Sequence, residues 1–278
     1  MIKDEKKVTK GLIIPVVERY ENILIQNIQH LYDKLKFTLP IELWQIGTEI
    51  STHATEKLQQ IHPDIRFKNV QDFTDDSLHW KGFQIKAFIL KHTTFEEVIM
   101  CDCDVLFGTN PEIIFDDENY IKTGSFLFRD YEFHNPKDVE EIVDRIIFVK
   151  SLLPIKTEFF PMEWDFVYTN NFNPNVHRWY YLESGVVYLN KKKNMDVVNT
   201  IYDLNNNWME TYKYVYGDKE TFWLAFVMND KPFYINMKPG FNHPLNASVV
   251  NCRNHQVLTH TYNNYYFFSQ KGYPNGYP

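Results

Sequence analysis

Val98, Ile99 and Met100 form a short apolar run that ends in two carboxylates one residue apart, within the stretch FEEVIMCDCDVLF at 95–107. An unbroken run of this kind predicts a strand buried on both faces of a mostly parallel sheet. Residues 11–17 read as an earlier strand, short and β-branched. Ile23, Ile25, Ile28, Leu31 and Tyr32 then keep roughly helical spacing within 21–35, and 39–46 alternates as a strand, so the chain opens as β-α-β. A short strand at 65–70 and a helix at 80–91, packing through Phe83, Ala87 and Leu90, lead into the acidic run. Beyond it the pattern predicts a helical turn at 111–115, a strand at 124–128, a strand over 181–190 entered through Glu183-Ser184-Gly185, and helices at 194–208 and 217–228. Short apolar runs at 233–236 and 256–260 follow. Residues 131–179 are charged and aromatic around a helix at 139–153, an insertion suited to a lid or acceptor platform. The tail from 262 to 278, rich in Tyr, Asn, Gly and Pro, is assigned no regular structure. The whole reads as an α/β fold with a central, mostly parallel sheet flanked by helices.

Composition changes this picture only by exclusion. With 278 residues and 44% hydrophobic content the chain can bury a sizeable core, and a formal charge of −7 argues against nucleic acid as the main partner. Three cysteines, two of them flanking Asp102, do not make a disulfide framework, and a reduced, cytoplasmic setting is expected. The charged N-terminus lacks the apolar centre of a signal peptide, and no transmembrane segment is expected. No Gly-x-Gly-x-x-Gly follows the first strand, so a nicotinamide enzyme is not indicated.

The chemistry concentrates around Asp102 and Asp104. In extended backbone they point the same way, at the carboxyl end of a strand, where open α/β sheets bind ligands. Paired carboxylates repel unless a cation sits between them, and Mg²⁺ or Mn²⁺ suits such oxygen ligands. The plainer reading is a turn in which Asp is merely soluble. Tyr20, in the loop after the first strand, is either a base-stacking ring or a surface tyrosine. Lys81 or Lys86 is a candidate for phosphate contact, Gly185 for close backbone approach by a ligand. Asp218 either caps the helix at 217–228 or serves the site. His260 either completes a metal site or is a structural histidine.

In order and spacing these segments resemble metal-dependent, retaining glycosyltransferases of the GT-A fold, the branch that includes glycogenin-like glucosyltransferases and yeast-type α-1,3-mannosyltransferases. EEVIMCDCDVLFGTNPEIIF within 95–115 is similar to that family's strand, Asp-x-Asp and Asn-Pro segment, ESGVV at 183–187 to its Ser-Gly strand, and GDKETF at 217–222 to its Gly-Asp-Lys-Glu-Thr-Phe form. The resemblance implies a single domain over 1–278, with a nucleotide-binding half at 11–110, a donor-sugar and acceptor half at 111–262, and a tail at 263–278. It implies Mn²⁺ or Mg²⁺ held by Asp102, Asp104 and His260. Ile14, Val16 and Tyr20 would hold the base, with Lys86, Asp102, Ser184 and Gly185 also contacting the nucleotide-sugar donor. Lys86, Asp218 and Glu183 would be catalytic, the carboxylates steadying the sugar cation or acting as nucleophile. The family's Gly-x-x-Lys after the metal histidine is absent, which passes phosphate neutralisation to Lys86, Lys271 or the metal. The expected donor is UDP-glucose, its glucose passing to a hydroxyl of a glycan or protein. The alternatives are GDP-mannose-dependent mannosyl transfer and an inactive nucleotide-sugar binder, and a homodimer stays open.

Overall fold

Alternation along the central strands sends consecutive side chains into two different cores, and that is why the apolar runs are continuous. Val98 and Met100 pack in one cluster, and Ile99 and Cys101 in the other. The same split separates Ile13 from Leu12 and Ile14 on the neighbouring strand. A computed structural model describes residues 10–130, 139–169, 182–236, 238, 240–244, 256–263 and 265–270. Its first part runs β1 (Lys10–Pro15), α1 (Glu21–Asp33), β2 (Ile41–Gln45), α2 (Thr52–Ile61), β3 (Ile65–Asn69), α3 (Ile85–His92) and β4 (Glu97–Cys101). There follow β5 (Val105–Phe107), α4 (Glu118–Thr123), β6 (Ser125–Arg129), α5 (Val139–Leu152), α6 (Phe166–Thr169) and β7 (Leu182–Asn190). The last part comprises α7 (Met195–Asn206), α8 (Trp208–Thr211), α9 (Lys219–Met228), β8 (Ile235–Asn236), β9 (Phe241–Pro244), β10 (Gln256–Tyr262) and β11 (Tyr265–Gln270).

Seven strands form one sheet in the order β3-β2-β1-β4-β7-β6-β8. The pairs from β3 to β4 are parallel, β7 runs antiparallel to both β4 and β6, and β6 and β8 are again parallel. This is the mostly parallel sheet the pattern predicts, and it joins strands from both 11–110 and 111–262. The opening β-α-β unit is present, with β1 and β2 in parallel register. Helix α2, which the pattern does not announce, is capped by Ser51, whose side chain accepts from the Ala54 N–H at 3.1 Å. Of the 131–179 insertion, residues 139–169 are described and hold α5 and the short α6; the others lie outside the described set.

A second sheet, in the order β5-β11-β10-β9, corrects the reading of the tail. Residues 265–270 are a strand paired antiparallel with both β5 and β10. Phe268 is fully buried there, against Phe107, Phe128 and His260. Aromatic side chains fit a pleated, half-buried surface, and Asn263 at φ 49° serves the turn before them. The helix at 80–91 also needs correction. It starts at Ile85, and Phe83 stands before it, 53% exposed rather than in the core.

Candidate active site

β4 ends at Cys101 and β5 begins at Val105, so the acidic pair sits in the turn between the two sheets. The Val105 N–H donates to the Asp102 carbonyl at 3.1 Å. The two carboxylates are therefore brought together by a turn, not by the alternation of an extended strand. Both line a cavity of about 470 Å³ with Val16, Tyr20, Phe83 and Lys86. Ile14 does not line it. It is 3% exposed and packs in the core behind β1. Arg19, also on the cavity wall, lies over the Tyr20 ring at 4.7 Å.

Lys86 is the centre of the polar arrangement. It is 5% exposed, while Lys81 is exposed at the cavity wall. The Lys86 Nζ lies 2.8 Å from Asp102 Oδ1 and 3.4 Å from Asp218 Oδ2. It also donates to the Ser184 carbonyl at 2.9 Å and to Ser184 Oγ at 3.2 Å. Burial alone would discharge this amine, but Asp102 and Asp218 outweigh it and raise its pKa. Burial, and behind it the charge of Asp104, lift Asp102 above the usual carboxylate range despite Lys86. Burial likewise raises Asp218, against the pull of Lys86 and Ser184.

Asp218 occupies the N-cap position of α9 yet makes no side-chain capping bond. The capping reading lacks its bond, and the carboxylate is turned toward Lys86 instead. Glu183 lies inside β7, not before it, and its carboxylate is engaged on both oxygens. Oε1 accepts from the Gly185 N–H at 2.7 Å and Gln270 Nε2 at 3.0 Å, and Oε2 lies 2.9 Å from Lys219 Nζ. Burial opposes its charge, but Lys219 and then His260 and Lys86 hold its pKa well below the ordinary value. The space beside Gly185 is filled by the Gln270 side chain. A Cβ there would lie 1.7 Å from Gln270 Nε2.

His260 belongs to the second sheet. It is 1% exposed in β10, stacked on Phe268 at 4.5 Å, and burial lowers its pKa to about 4. Neither ring nitrogen has a hydrogen-bond partner among the described residues. Gln270 of β11 pairs with Val105 on one side and with Leu258 of β10 on the other. Among the described residues no group of three or more His, Cys, Asp or Glu is arranged to hold a metal ion. Asp102 and Asp104 alone fit a hard divalent cation, since Mg²⁺-type sites use one or two carboxylates and complete the shell with waters and substrate phosphates. The raised pKa of Asp102 has the sign that an adjoining cation would reverse. Lys271 lies outside the described residues.

Residues that the pattern did not single out complete the site. Lys219 lies 2.8 Å from Asp130 and 2.9 Å from Glu183. Phe83 lines the cavity and packs against Tyr216 at 6.0 Å. The one linear signal for Lys219 was its place in GDKETF, directly after Asp218. Gln270 fell in a stretch assigned no structure.

Residues 9–242 match the model of a protein family described as "Mannosyltransferase putative". The chain is 28% identical over 253 residues to the "Putative alpha-1,3-mannosyltransferase MNN14" of Candida albicans, covering 83% of this chain and 35% of that protein. It is 23% identical over 265 residues to alpha-1,3-mannosyltransferase MNT3 of Saccharomyces cerevisiae, covering 87% of this chain and 40% of that protein. The chain thus spans well under half the length of these curated relatives. Among solved structures, core-mannan synthase A of Aspergillus fumigatus, in its Mn/GDP form, superposes with a TM-score of 0.58 at 14% identity, over 98% of this chain and 82% of that one. That likeness shows the fold, which is GT-A. These matches overturn the expectation of glucose transfer from UDP-glucose, because the relatives are named mannosyltransferases.

Proposed function

Because this chain belongs to the mannosyltransferase family, matched over residues 9–242, we propose that it transfers mannose from GDP-mannose to a glycan hydroxyl, with retention at the anomeric carbon. The single observation that carries this reading is the convergence of Lys86 with Asp102 and Asp218 beside the cavity, at 2.8 and 3.4 Å. The bond from mannose C1 to the β-phosphate oxygen breaks with its electron pair leaving on GDP, and the acceptor hydroxyl oxygen bonds to C1 as its proton passes to the departing phosphate oxygen. Lys86, a fixed cation in an enclosed site, stabilises charge growing on the departing diphosphate. Asp218 lies close enough to Lys86 to face the same bond and steady positive charge at C1. Tyr20 and Val16 supply apolar wall for the base, and Ser184 holds Lys86 in place. A manganese or magnesium ion on Asp102 and Asp104 would add Lewis-acid neutralisation of the diphosphate. The Mn/GDP form of core-mannan synthase A supports that choice of ion and nucleotide.

The test is turnover by the purified chain with Mn²⁺, a mannoside acceptor, and either GDP-mannose or UDP-glucose. GDP-mannose should be consumed with mannoside extension, and Asp104→Ala should lose metal-dependent turnover by about 100-fold or more. Consumption of UDP-glucose alone, or a wild-type rate from Asp104→Ala, would overturn the reading.

A further inference from the structure

Two largely buried charge clusters lie side by side, built from consecutive residues of the same two elements. At the start of β7, Ser184 holds Lys86 while its neighbour Glu183 holds Lys219. At the start of α9, Asp218 faces Lys86 while its neighbour Lys219 faces Glu183 and Asp130. The two lysines divide four carboxylates between them: Asp102 and Asp218 for one, Asp130 and Glu183 for the other.

We propose that Lys219 is a positioning residue: by occupying Glu183 it keeps that carboxylate from drawing Lys86 away from Asp102 and Asp218. The effect on turnover rests on the transferase reading above, whereas the placement of Lys86 does not. Glu183 is 2% exposed, so its charge has no water to turn to. One oxygen is taken up by Gly185 and Gln270, and the other needs Lys219. Removing one partner from a buried pair leaves an uncompensated charge that seeks another cation. His260 and Lys86 are the other ionisable groups within its field, and Lys86, gripped by the adjacent residue of the strand, is the one carried on a long stem. A lysine carries its point charge on a flexible four-carbon stem and can change partners by rotating that stem. A Lys86 turned toward Glu183 no longer faces the bond that breaks.

The test compares Lys219→Met, Lys219→Arg and the double variant Lys219→Met/Glu183→Gln, by crystal structure and by GDP-mannose kinetics. In the crystal structure of Lys219→Met the Lys86 ammonium should sit within hydrogen-bond distance of Glu183 and away from Asp218. Its kcat should fall about tenfold or more with a smaller change in KM, because a transition-state contact is lost. Lys219→Arg should keep much of the rate. The double variant should regain most of it, since the neutral amide no longer attracts Lys86. A Lys219→Met structure with Lys86 still between Asp102 and Asp218, or a double variant no faster than the single one, overturns the proposal. If Lys219→Met does not fold, the double variant decides: it should fold and turn over, and an inactive folded double variant counts against Lys219 as a positioning residue. Wild-type protein inert toward GDP-mannose would overturn the function proposed above, while the Lys86 position in the variant structure would still decide this inference.

Discussion

Asp218 stands at a helix N-cap without using it, and its carboxylate is turned instead toward Lys86. Asp218→Asn should therefore lower kcat by about 100-fold or more. The helical circular dichroism signal should stay unchanged, because no capping bond is lost. Glu183 predicts a pH effect of definite sign. Its folded pKa lies below the unfolded value near 4.5, so its contribution to stability is present above that pH and is lost as the pH falls below it. Chemical denaturation from pH 6 downward should show this acid loss in the wild type and a shallower one in Glu183→Gln. Asp102 and Asp104 were legible as a pair, since two carboxylates after a buried run stand out. Which lysine turns inward was named by the family resemblance and not by the helical pattern. Residues 85 to 90 of α3 are all buried, so helical phase does not separate a buried amine from an exposed one.

The elements whose side chains follow one period were read correctly. β1, α1, β2, β3 and β4 fall where alternation, helical spacing or an unbroken run put them. α2 escaped because only Ala54 and Leu58 are buried along it, too few to mark a period. β11 escaped because its aromatic run lies among turn-forming residues, and only its pairing with β5, 161 to 165 positions earlier in the chain, buries it. Its worth can be measured. Phe268→Ala should cost about 3–5 kcal/mol in urea unfolding, the usual loss for an aromatic side chain removed from a core. Gly185→Ala tests the contact between the sheets, since its methyl would meet the Gln270 amide and break the bond to Glu183. The melting temperature should fall, and adding Gln270→Ala should cost less than the two single losses combined, because both act on one contact.

Over the whole molecule, the fold and the mannosyltransferase branch of the resemblance were legible from the order and spacing of three motifs, whereas the glycogenin-like branch and its donor were not borne out. In the function proposed above Lys86 and the acidic pair would face a diphosphate, which UDP-glucose and GDP-mannose share, so the most visible residues carry no preference between them. The base and the hexose are distinguished by cavity shape, which no short motif encodes. A thermal-shift comparison reads that preference directly. GDP-mannose with Mn²⁺ at about 100 times its Kd should stabilise the fold by about 2.7 kcal/mol. UDP-glucose at the same concentration should give little.

Cys101 closes one sheet and Val105 opens the other, with the acidic turn as the weld between them. A load placed on that weld is shared by both sides. Tightening it should slow backbone amide exchange in 105–107 and in the partnered 268–270 as well as at the end of β4, so that the far hairpin registers arrival at the cavity without touching what arrives.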